Sequence, residues 1–476
     1  MESEANYCPP SEETRKARGS FTGKVGFVLA AAGSAVGLGN LWRFPYLADK
    51  FGGGAFLLTY VILMVFFGIA LMMTEIALGR KTGKSCIDAF RDISEKHSFI
   101  GWLAAIVPII IVPYYCVIGG WVTKYFVEFS IGNHIGVTAA GSADFFNQFM
   151  TCGMAGVFDS PVTWFLIFSL LAIIVVAFGV EKGIEKVSKY LMPVLFILMI
   201  GICVYILFLP ADPDTGITVF DGIKHYIVPN MDDFNSKTIL GAVGQLFYSM
   251  SLAMGIMITY GSYMKKDVNI AKSATQISVM DTGVAFMAGL MIIPPMFMLG
   301  ENMGSGPGLM FVSLPVVFEA MPGGQVVGAL FFFLVIIAAL TSAISLAETV
   351  VSVFHDRLHW KRSVSSFAVM ILILGLGILS CLGYGPLDAV CIGGMYFLDI
   401  FDAVSNSILM PIVAILTCLF VGFVVKPKFV TDELEADGST FKYKTVYSYL
   451  IKYVCPIILV FVLITGLLST FGIWKI

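Results

Sequence analysis

Charged side chains are scarce in this chain of 476 residues. Asp, Glu, Lys and Arg together make up 13% of the sequence and hydrophobic residues 58%, whereas a soluble domain carries about 25% charged residues. The mean hydropathy is +0.89. The net charge of −3 gives nucleic-acid binding no electrostatic support. The composition therefore predicts an all-α, polytopic membrane protein with no nucleic-acid partner.

Histidine and cysteine are also too few, and too scattered, to build a reaction centre. The five histidines stand at 97, 134, 225, 355 and 359, outside the centres of the long apolar segments. The nine cysteines have no metal-type spacing, and only Cys152 lies in a long loop. No nucleophile with a base and no metal-ligand set is visible. We therefore expect no enzymatic activity, no disulfide and no transition-metal site.

Long apolar runs dominate what is present. Windows of about 20 residues predict eleven membrane spans. Numbered 1 to 11, the predicted spans cover residues 24–47, 54–78, 99–129, 161–179, 187–209, 239–263, 275–299, 327–354, 364–383, 394–425 and 445–472. A cytoplasmic N-terminus places most of the 29 Lys and Arg residues in the cytoplasmic segments, as the positive-inside rule requires. The odd number of spans then puts the C-terminus outside.

The same pattern predicts the organisation of the chain. Residues 1–20 are polar and charged, without the apolar core of a cleavable signal peptide, and form a cytoplasmic tail. Residues 21–425 form the membrane core, 426–444 a cytoplasmic loop, and 445–476 the eleventh helix and an extracellular C-terminus. The outer segments 130–160, 210–238 and 300–326 are rich in Gly, Asp, Pro and Asn, and are interpreted as surface caps or gates.

Two of the predicted spans cannot be regular helices. Span 1 contains the stretch AAAGSAVGLGNLWRFP at residues 30–45, and span 6 contains GAVGQLFYSMSLAMGIMITYGSY at 241–263. Their glycines lower the cost of unwinding, and unpaired backbone at membrane depth is tolerated where it lines a polar cavity or binds a ligand. The freed carbonyls attract cations and the freed amides attract a carboxylate. Spans 1 and 6 are five spans apart, as in an inverted repeat.

Several longer motifs carry a specific resemblance. AGSAVGLGNLWRFPY and the following GGGAFLLTY, PYYCVIGGW at 113–121, GQLFYSMSLAMG at 244–255, ALTSAIS at 339–345 and FLDIFD at 397–402 resemble those of the bacterial neurotransmitter:sodium symporters. The resemblance covers the chain from about Arg18 to the end of span 10. It implies the LeuT-type fold, a 5+5 inverted repeat over about 21–210 and 239–425 with discontinuous spans 1 and 6.

The resemblance implies two sodium sites built from oxygen atoms. The first would use the Ala35 carbonyl, Asn40, Ser249 and Asp281, together with the substrate carboxylate. The second would use the Gly33, Val36 and Ala338 carbonyls and the Thr341 and Ser342 hydroxyls. Taken without the resemblance, Thr341 and Ser342 are also typical of helix–helix packing by small hydroxylated residues.

Asp281 departs from the family pattern, in which a neutral asparagine is common at the matching place. An acid inside the bilayer is costly and by default functional. Some members need a bound chloride near the first sodium to balance charge, and many bacterial ones carry a fixed carboxylate there. We expect Asp281 to replace chloride; a purely structural acid is the alternative. The predicted cofactors are therefore two sodium ions and no chloride.

The substrate pocket follows from the same resemblance. Amides of Leu38 and Gly39 and the Tyr115 hydroxyl would hold a carboxylate, and the Ala35 carbonyl and the span 6 backbone near Tyr248 and Ser251 would meet an amino group. Ile111, Tyr248, Met254, Ser342 and Leu346 would surround the side chain. None of these residues carries a formal charge, which favours a neutral, apolar amino acid. By themselves, Ile111, Met254 and Leu346 are equally typical of core packing.

The resemblance also implies gates. Arg43 and Asp402 would pair on the outer side, above a lid of Tyr115 and Tyr248. Arg18 would pair with Asp356 on the inner side, supported by Tyr263, while Phe21 stands where a tryptophan is usual. Arg18 has an alternative reading as an ordinary topology charge. Glu75, another intramembrane acid, is interpreted as a partner for the broken backbone.

These features predict a sodium-coupled symporter that imports a neutral hydrophobic or aromatic L-amino acid across a bacterial inner membrane. The partners would be the small-molecule substrate and the lipid bilayer, and the protein would be a monomer or a weak oligomer. A transporter of another small zwitterion, a channel or a sensor on the same fold remains an alternative. Charged gates on both sides of a central site favour a carrier over a channel.

Overall fold

The computed structural model describes residues 19–135, 137–153, 156–232, 234–301, 303–304 and 306–470. Within these residues the chain is helical, with two isolated bridges and no strand. Eight helices are long and apolar enough to cross a membrane. They run over Gly54–Thr82, Glu95–Ser130, Val180–Leu207, Ile270–Met298, Gly324–Leu358, Arg362–Leu382, Phe397–Val424 and Lys444–Ser469, and correspond to spans 2, 3, 5, 7, 8, 9, 10 and 11.

The remaining three predicted spans are bent, short or broken. Span 1 consists of Lys24–Ala35 and Gly39–Lys50, which are inclined by 54°. Span 4 is the helix Pro161–Ala177, and span 6 is the pair Ser236–Ser249 and Ile256–Ser262. Helices thus stand at all eleven predicted positions. The helix of span 4 and the two helices of span 6 are each too short to be identified as membrane-spanning from length alone. The number of eleven spans therefore stays a prediction.

The break in span 1 lies at residues 36–38. The first half ends where Val36 adopts an extended backbone (φ −72°, ψ 103°). Helical structure restarts with the wide turn Gly39–Arg43, followed by Phe44–Lys50. Carbonyls of the first half and amides of the second half are therefore left without helical partners, as the glycines of this stretch predict.

The break in span 6 is longer and strained. Ser251, Ala253 and Gly255 have positive φ angles of 53°, 60° and 69°. The left-handed conformation costs about 1–2 kcal/mol for each residue with a Cβ. The Ala253 amide donates to the Glu75 carboxylate at 2.7 Å. The buried acid on span 2 thus satisfies the backbone of the broken span, as the sequence indicated.

Shorter helices cover the segments between the spans. The three outer segments, expected to be caps or gates rich in turn residues, fold in part into Ala139–Met150, Val219–Ile227 and Leu309–Ala320. On the side of the molecule where residues 19–22 lie, here called the amino-terminal side, are Cys86–Ile93 and Lys428–Leu434. These helices were missed because each is too short or too polar to produce a long apolar window.

A buried arginine connects distant parts of the chain on the amino-terminal side. The side chain of Arg80, at the end of span 2, is 0% exposed and its Nε lies 2.8 Å from Glu433 Oε1. Its guanidinium also donates to the carbonyls of Val268, at 2.5 Å, and of Glu433. Span 2, the segment before span 7 and the helix Lys428–Leu434 are therefore held by one side chain.

Candidate functional site

The breaks in spans 1 and 6 face a narrow cavity of about 30 Å³ in the middle of the bundle. Its walls also include spans 3 and 8, which pack along each other. All ten residues predicted to contact a substrate line it: Ala35, Leu38, Gly39, Ile111, Tyr115, Tyr248, Ser251, Met254, Ser342 and Leu346. The cavity has room for about two water molecules, so its walls must part to admit a larger ligand.

One end of the cavity presents hydrogen-bond donors. The Leu38 amide donates to the Tyr115 hydroxyl at 3.3 Å. Close approach requires glycine on both sides of Leu38: a Cβ at Gly37 would lie 2.9 Å from Tyr115 Oη, and one at Gly39 would lie 2.6 Å from the Tyr248 ring. The arrangement suits a carboxylate, because amide and phenol donors converge where a restarting helix leaves its amides free.

A buried polar cluster adjoins this end. Asn40 Nδ2 donates to Ser249 Oγ at 2.9 Å and to Asp281 Oδ1 at 2.8 Å. Ser249 Oγ lies 2.8 Å and 3.1 Å from the two Asp281 oxygens. Asn40 and Asp281 are 0% exposed. Three of the four residues predicted for the first sodium are thus in mutual contact, and the fourth, Ala35, lines the same cavity.

A second oxygen cluster joins span 1 to span 8. The Ser342 hydroxyl lies 3.4 Å from the Gly33 carbonyl and 3.1 Å from the Val36 carbonyl. The Thr341 hydroxyl donates to the Ala338 carbonyl at 3.1 Å. Of the five residues predicted for the second sodium, Ser342 thus contacts Gly33 and Val36 at the end of the first half of span 1, where helix carbonyls are free. Thr341 also lies against Gly33, and Ala338 adjoins Thr341 on span 8.

The two clusters fit a hard cation and no transition metal. Their potential ligands are carbonyl, hydroxyl and carboxylate oxygens, which suit cations such as sodium and not the softer metals that bind imidazole or thiolate. The Asn40 amide oxygen is turned to the Gly37 amide, from which it accepts at 3.0 Å. No group of three or more His, Cys, Asp or Glu residues in the described part of the chain could hold a metal ion. The oxygen atoms of the two clusters therefore suit a small, hard cation.

Arg43 and Asp402, the residues predicted for the outer gate, have separate partners. Among the described residues, no ion pair joins Arg43 to Asp402; the Arg43 guanidinium lies over the Tyr248 ring, 5.4 Å from its centroid. Asp402 accepts from Tyr114 Oη at 3.1 Å and from Asn406 Nδ2 at 2.6 Å. Both gate residues are partly exposed. The side opposite residues 19–22 is thus the less tightly closed one.

The amino-terminal side is closed by several contacts. Phe21 is 1% exposed, its amide donates to the Tyr263 carbonyl at 3.1 Å, and its ring packs edge-on against Tyr260. The Thr22 amide donates to Glu185 Oε2 at 2.8 Å, and its hydroxyl also contacts this carboxylate. Thr22, two residues before the first helix of span 1, is therefore attached to the start of span 5.

The structure describes two of the three residues predicted for the inner gate. Arg18 lies outside the described residues. Asp356 accepts from the Ser85 amide at 2.8 Å. The Tyr263 hydroxyl, expected to support Asp356, donates to the buried Glu348 at 2.7 Å, and Glu348 pairs with Arg362. The sequence reasoning missed this network because Glu348 and Arg362 are joined to Tyr263 only by the packing of spans 6, 8 and 9.

Two further site residues were missed although they lie in quoted motifs. The Tyr60 hydroxyl, from GGGAFLLTY, donates to Asp281 Oδ2 at 3.4 Å. Gln245, from GQLFYSMSLAMG, donates to the Gly39 carbonyl at 2.9 Å and is 0% exposed. The only signal in the sequence was a single tyrosine or glutamine on an apolar helix. Such a signal does not indicate which residue the side chain contacts.

Comparison with known proteins is consistent with this geometry. The chain resembles the crystal structure of MhsT in complex with L-phenylalanine, with a TM-score of 0.83 and 33% identity over 94% of this chain and 100% of that one. This similarity confirms the LeuT-type fold with discontinuous spans 1 and 6. The protein is a multi-pass membrane protein.

Its curated relatives are transporters. The sodium-dependent transporter YhdH of Bacillus subtilis is 36% identical over 94% of this chain and 98% of its own length. The sodium- and chloride-dependent GABA transporter 2 of Homo sapiens is 28% identical over 88% of this chain and 75% of its own length. Residues 18–136 and 132–472 match the sodium:neurotransmitter symporter family. With a shared fold, motifs and sequence along nearly its whole length, the chain belongs to the sodium:neurotransmitter symporter family.

Proposed function

We propose that this protein imports a neutral hydrophobic or aromatic L-amino acid together with two sodium ions, by alternating access. The observation that carries the proposal is that two sets of groups share one cavity. The donors at Leu38 and Tyr115 line the same cavity as Asn40 and Ser249, and these two residues hold Asp281 behind them. A substrate carboxylate held by the donors would lie beside the first sodium and share it.

The walls of the cavity support the choice of substrate. Ile111, Met254 and Leu346 supply apolar surface, and no lining residue carries a formal charge. A neutral, apolar side chain is therefore the one that this cavity can bury at least cost. The Ala35 carbonyl and the backbone near Ser251 would accept from the amino group. MhsT, which resembles this chain, was solved with L-phenylalanine.

Each sodium ion has its own part in the cycle. At the first site, sodium and the substrate carboxylate attract each other, so each raises the affinity for the other. At the second site, sodium would tie the end of the first half of span 1 to Thr341 and Ser342 of span 8 and favour the conformation closed on the amino-terminal side. Release there would follow when span 1 separates from span 8.

Asp281 supports independence from chloride. Its carboxylate lies at the first cation site with Asn40, Ser249 and Tyr60 as neighbours. A fixed negative charge there would balance the sodium ion, so that no mobile anion is required.

The remaining parts of the proposal concern membrane placement. Residues 1–20 would be a cytoplasmic tail, 21–425 the transporter core, 426–444 a cytoplasmic loop and 445–476 an eleventh helix with its end outside a bacterial inner membrane. Arg43 and Asp402 then belong to the outer gate. A membrane potential worth about 2.3 kcal/mol per charge per 100 mV would drive sodium, and with it substrate, inward. The protein would act as a monomer or weak oligomer, and not as an enzyme.

Uptake into proteoliposomes tests the function. Purified protein is reconstituted, an inward sodium gradient is imposed, and a labelled hydrophobic amino acid is competed by each of the twenty amino acids, with chloride or with gluconate. We expect concentrative, electrogenic uptake that leucine-like or aromatic amino acids inhibit best, equal in both anions. No accumulation against a gradient would refute symport, and flux beyond carrier rates would indicate a channel.

A further inference from the structure

A second, much larger cavity of about 920 Å³ lies on the amino-terminal side, away from the central site. It is bounded by span 2, the start of spans 1 and 7, the segment after Lys428–Leu434, and span 11. Nothing in the transport cycle described above uses it.

Three ammonium groups border this cavity. Lys24 begins the first half of span 1, Lys272 lies in the first turn of span 7, and Lys442 precedes span 11. Within the described part of the chain, none of the three forms a hydrogen bond or ion pair through its ammonium group, and no lining residue is acidic. Three like charges around one cavity favour an anionic ligand.

Polar neutral residues also line the cavity. Thr440 is one of them, and Thr275 is another, although its hydroxyl already donates to the Ala271 carbonyl at 2.9 Å. The segment that carries Thr440 is fixed against the start of span 7, because Asn269 Nδ2 donates to Ser439 Oγ at 2.7 Å and to Asp437 Oδ2 at 2.8 Å. The partial positive charge of the 29-residue helix Ile270–Met298 at its first turn adds to the potential there.

The other end of the cavity is apolar and open to the side of the bundle. Val65 and Phe66, in the middle of span 2, line it and are 48% and 52% exposed. Because spans 2 and 11 cross the membrane, these side chains face acyl chains and not water. A basic end at the membrane surface thus continues into an apolar end at membrane depth.

We propose that this cavity binds an anionic phospholipid, with its phosphate between Lys24, Lys272 and Lys442 and its acyl chains along spans 2 and 11. Basic cavities between membrane helices on the positively charged side bind phospholipid headgroups in this manner. A soluble anion would use the lysines and leave the apolar end unused. The lipid bridges the moving first half of span 1 to spans 2, 7 and 11.

Native mass spectrometry of the delipidated full-length protein tests the proposal without measuring transport. The protein is titrated with phosphatidylglycerol or with phosphatidylcholine of the same acyl chains, with and without millimolar inorganic phosphate. The variant is Lys272→Gln with Lys442→Gln. The control is Lys96→Gln with Lys361→Gln, two exposed lysines of the amino-terminal side that do not line the cavity.

We expect tight binding of one phosphatidylglycerol and weak binding of phosphatidylcholine. Each lysine near an anionic lipid contributes a factor of about five, so the double variant should bind roughly 30-fold more weakly and the control as the wild type does. Equal binding of both lipids, or unchanged binding by the variant, would overturn the proposal. Displacement of the lipid by phosphate would show a site for a free anion instead. A melting temperature equal to that of the wild type confirms that the variant is folded.

Discussion

A few hydroxyl and carboxylate groups distinguish the central site, at the breaks in spans 1 and 6, from an ordinary helix interface. Thr341 and Thr349 lie two turns apart on span 8, and both donate to a carbonyl of their own helix, at 3.1 Å and 2.9 Å. Only Thr341 adjoins the carbonyls freed by the break in span 1, since a Cβ at Gly33 would lie 3.2 Å from its Cβ. The same residue type is therefore proposed to bind sodium at one position and to serve only in packing at the other.

Replacing Thr341 with Val removes one proposed sodium ligand and preserves the shape of the side chain. We expect the sodium concentration for half-maximal uptake to rise about tenfold, equivalent to about 1.4 kcal/mol. Thr349→Val is the matched control and should change it less than twofold. Sodium-dependent uptake in proteoliposomes measures both. Equal effects in the two variants would indicate that Thr341 only packs.

Replacing Asp281 with Asn tests the charge at the first site. The neutral amide keeps an oxygen ligand beside Asn40 and Ser249 but no longer balances the bound cation. We expect weaker sodium binding, by about tenfold since a charged ligand is lost, and uptake that chloride stimulates. Uptake is compared in chloride and in gluconate. Unchanged sodium dependence with no response to chloride would contradict the proposed charge balance.

The helices show which features of the fold could be predicted from the sequence. The glycines near residues 33–39 and 241–261 predicted both breaks, because backbone freedom is a local property. The helices Ala139–Met150 and Leu309–Ala320 were not predicted, since no membrane-length apolar run marks them. The hydrogen bond from the Tyr263 hydroxyl to Glu348 was not predicted, because the packing of whole spans decides this partner. The residues that line the central cavity were predicted from the motifs shared with a known family, because such motifs reflect the packing of whole spans. Hydrophobic periodicity alone contains no information on this packing.

Glu75 stabilises the break in span 6 through the Ala253 amide, 2.7 Å away. Glu75→Leu would leave this buried donor without an acceptor and should destabilise the protein by about 1–3 kcal/mol. Glu75→Gln retains an acceptor and should lose less than half as much. Thermal unfolding in detergent compares the two variants with the wild type. If the leucine variant unfolds at the wild-type temperature, the carboxylate does not support the broken backbone.

The two faces of the whole molecule are closed to different degrees. On the amino-terminal side, Thr22 is attached to Glu185 of span 5, and Phe21 is buried against Tyr260 and Tyr263. On the opposite side, Arg43 and Asp402 are partly exposed and form no ion pair among the described residues. The conformation is therefore one in which a substrate would arrive from the side of Arg43.

Removing the Glu185 carboxylate should loosen the closed side. We expect Glu185→Ala to raise deuterium uptake severalfold in peptides covering residues 19–30, because the Thr22 amide loses its acceptor. Glu181→Ala, four residues earlier and exposed, is the control and should leave uptake unchanged. Hydrogen-exchange mass spectrometry with saturating sodium makes the comparison. Identical uptake in the two variants would show that Glu185 does not hold span 1 closed.

The contact between Arg80 and Glu433 also has a consequence for the synthesis of the chain. Glu433, the carboxylate partner, is 353 residues further along the chain. At a synthesis rate of about 5–20 residues per second, roughly 20–70 s pass between the synthesis of Arg80 and that of its partner. During this interval span 2 is in or near the membrane with its charge uncompensated by Glu433. The amino-terminal part of the chain must therefore accommodate Arg80 without this carboxylate until residue 433 has been made.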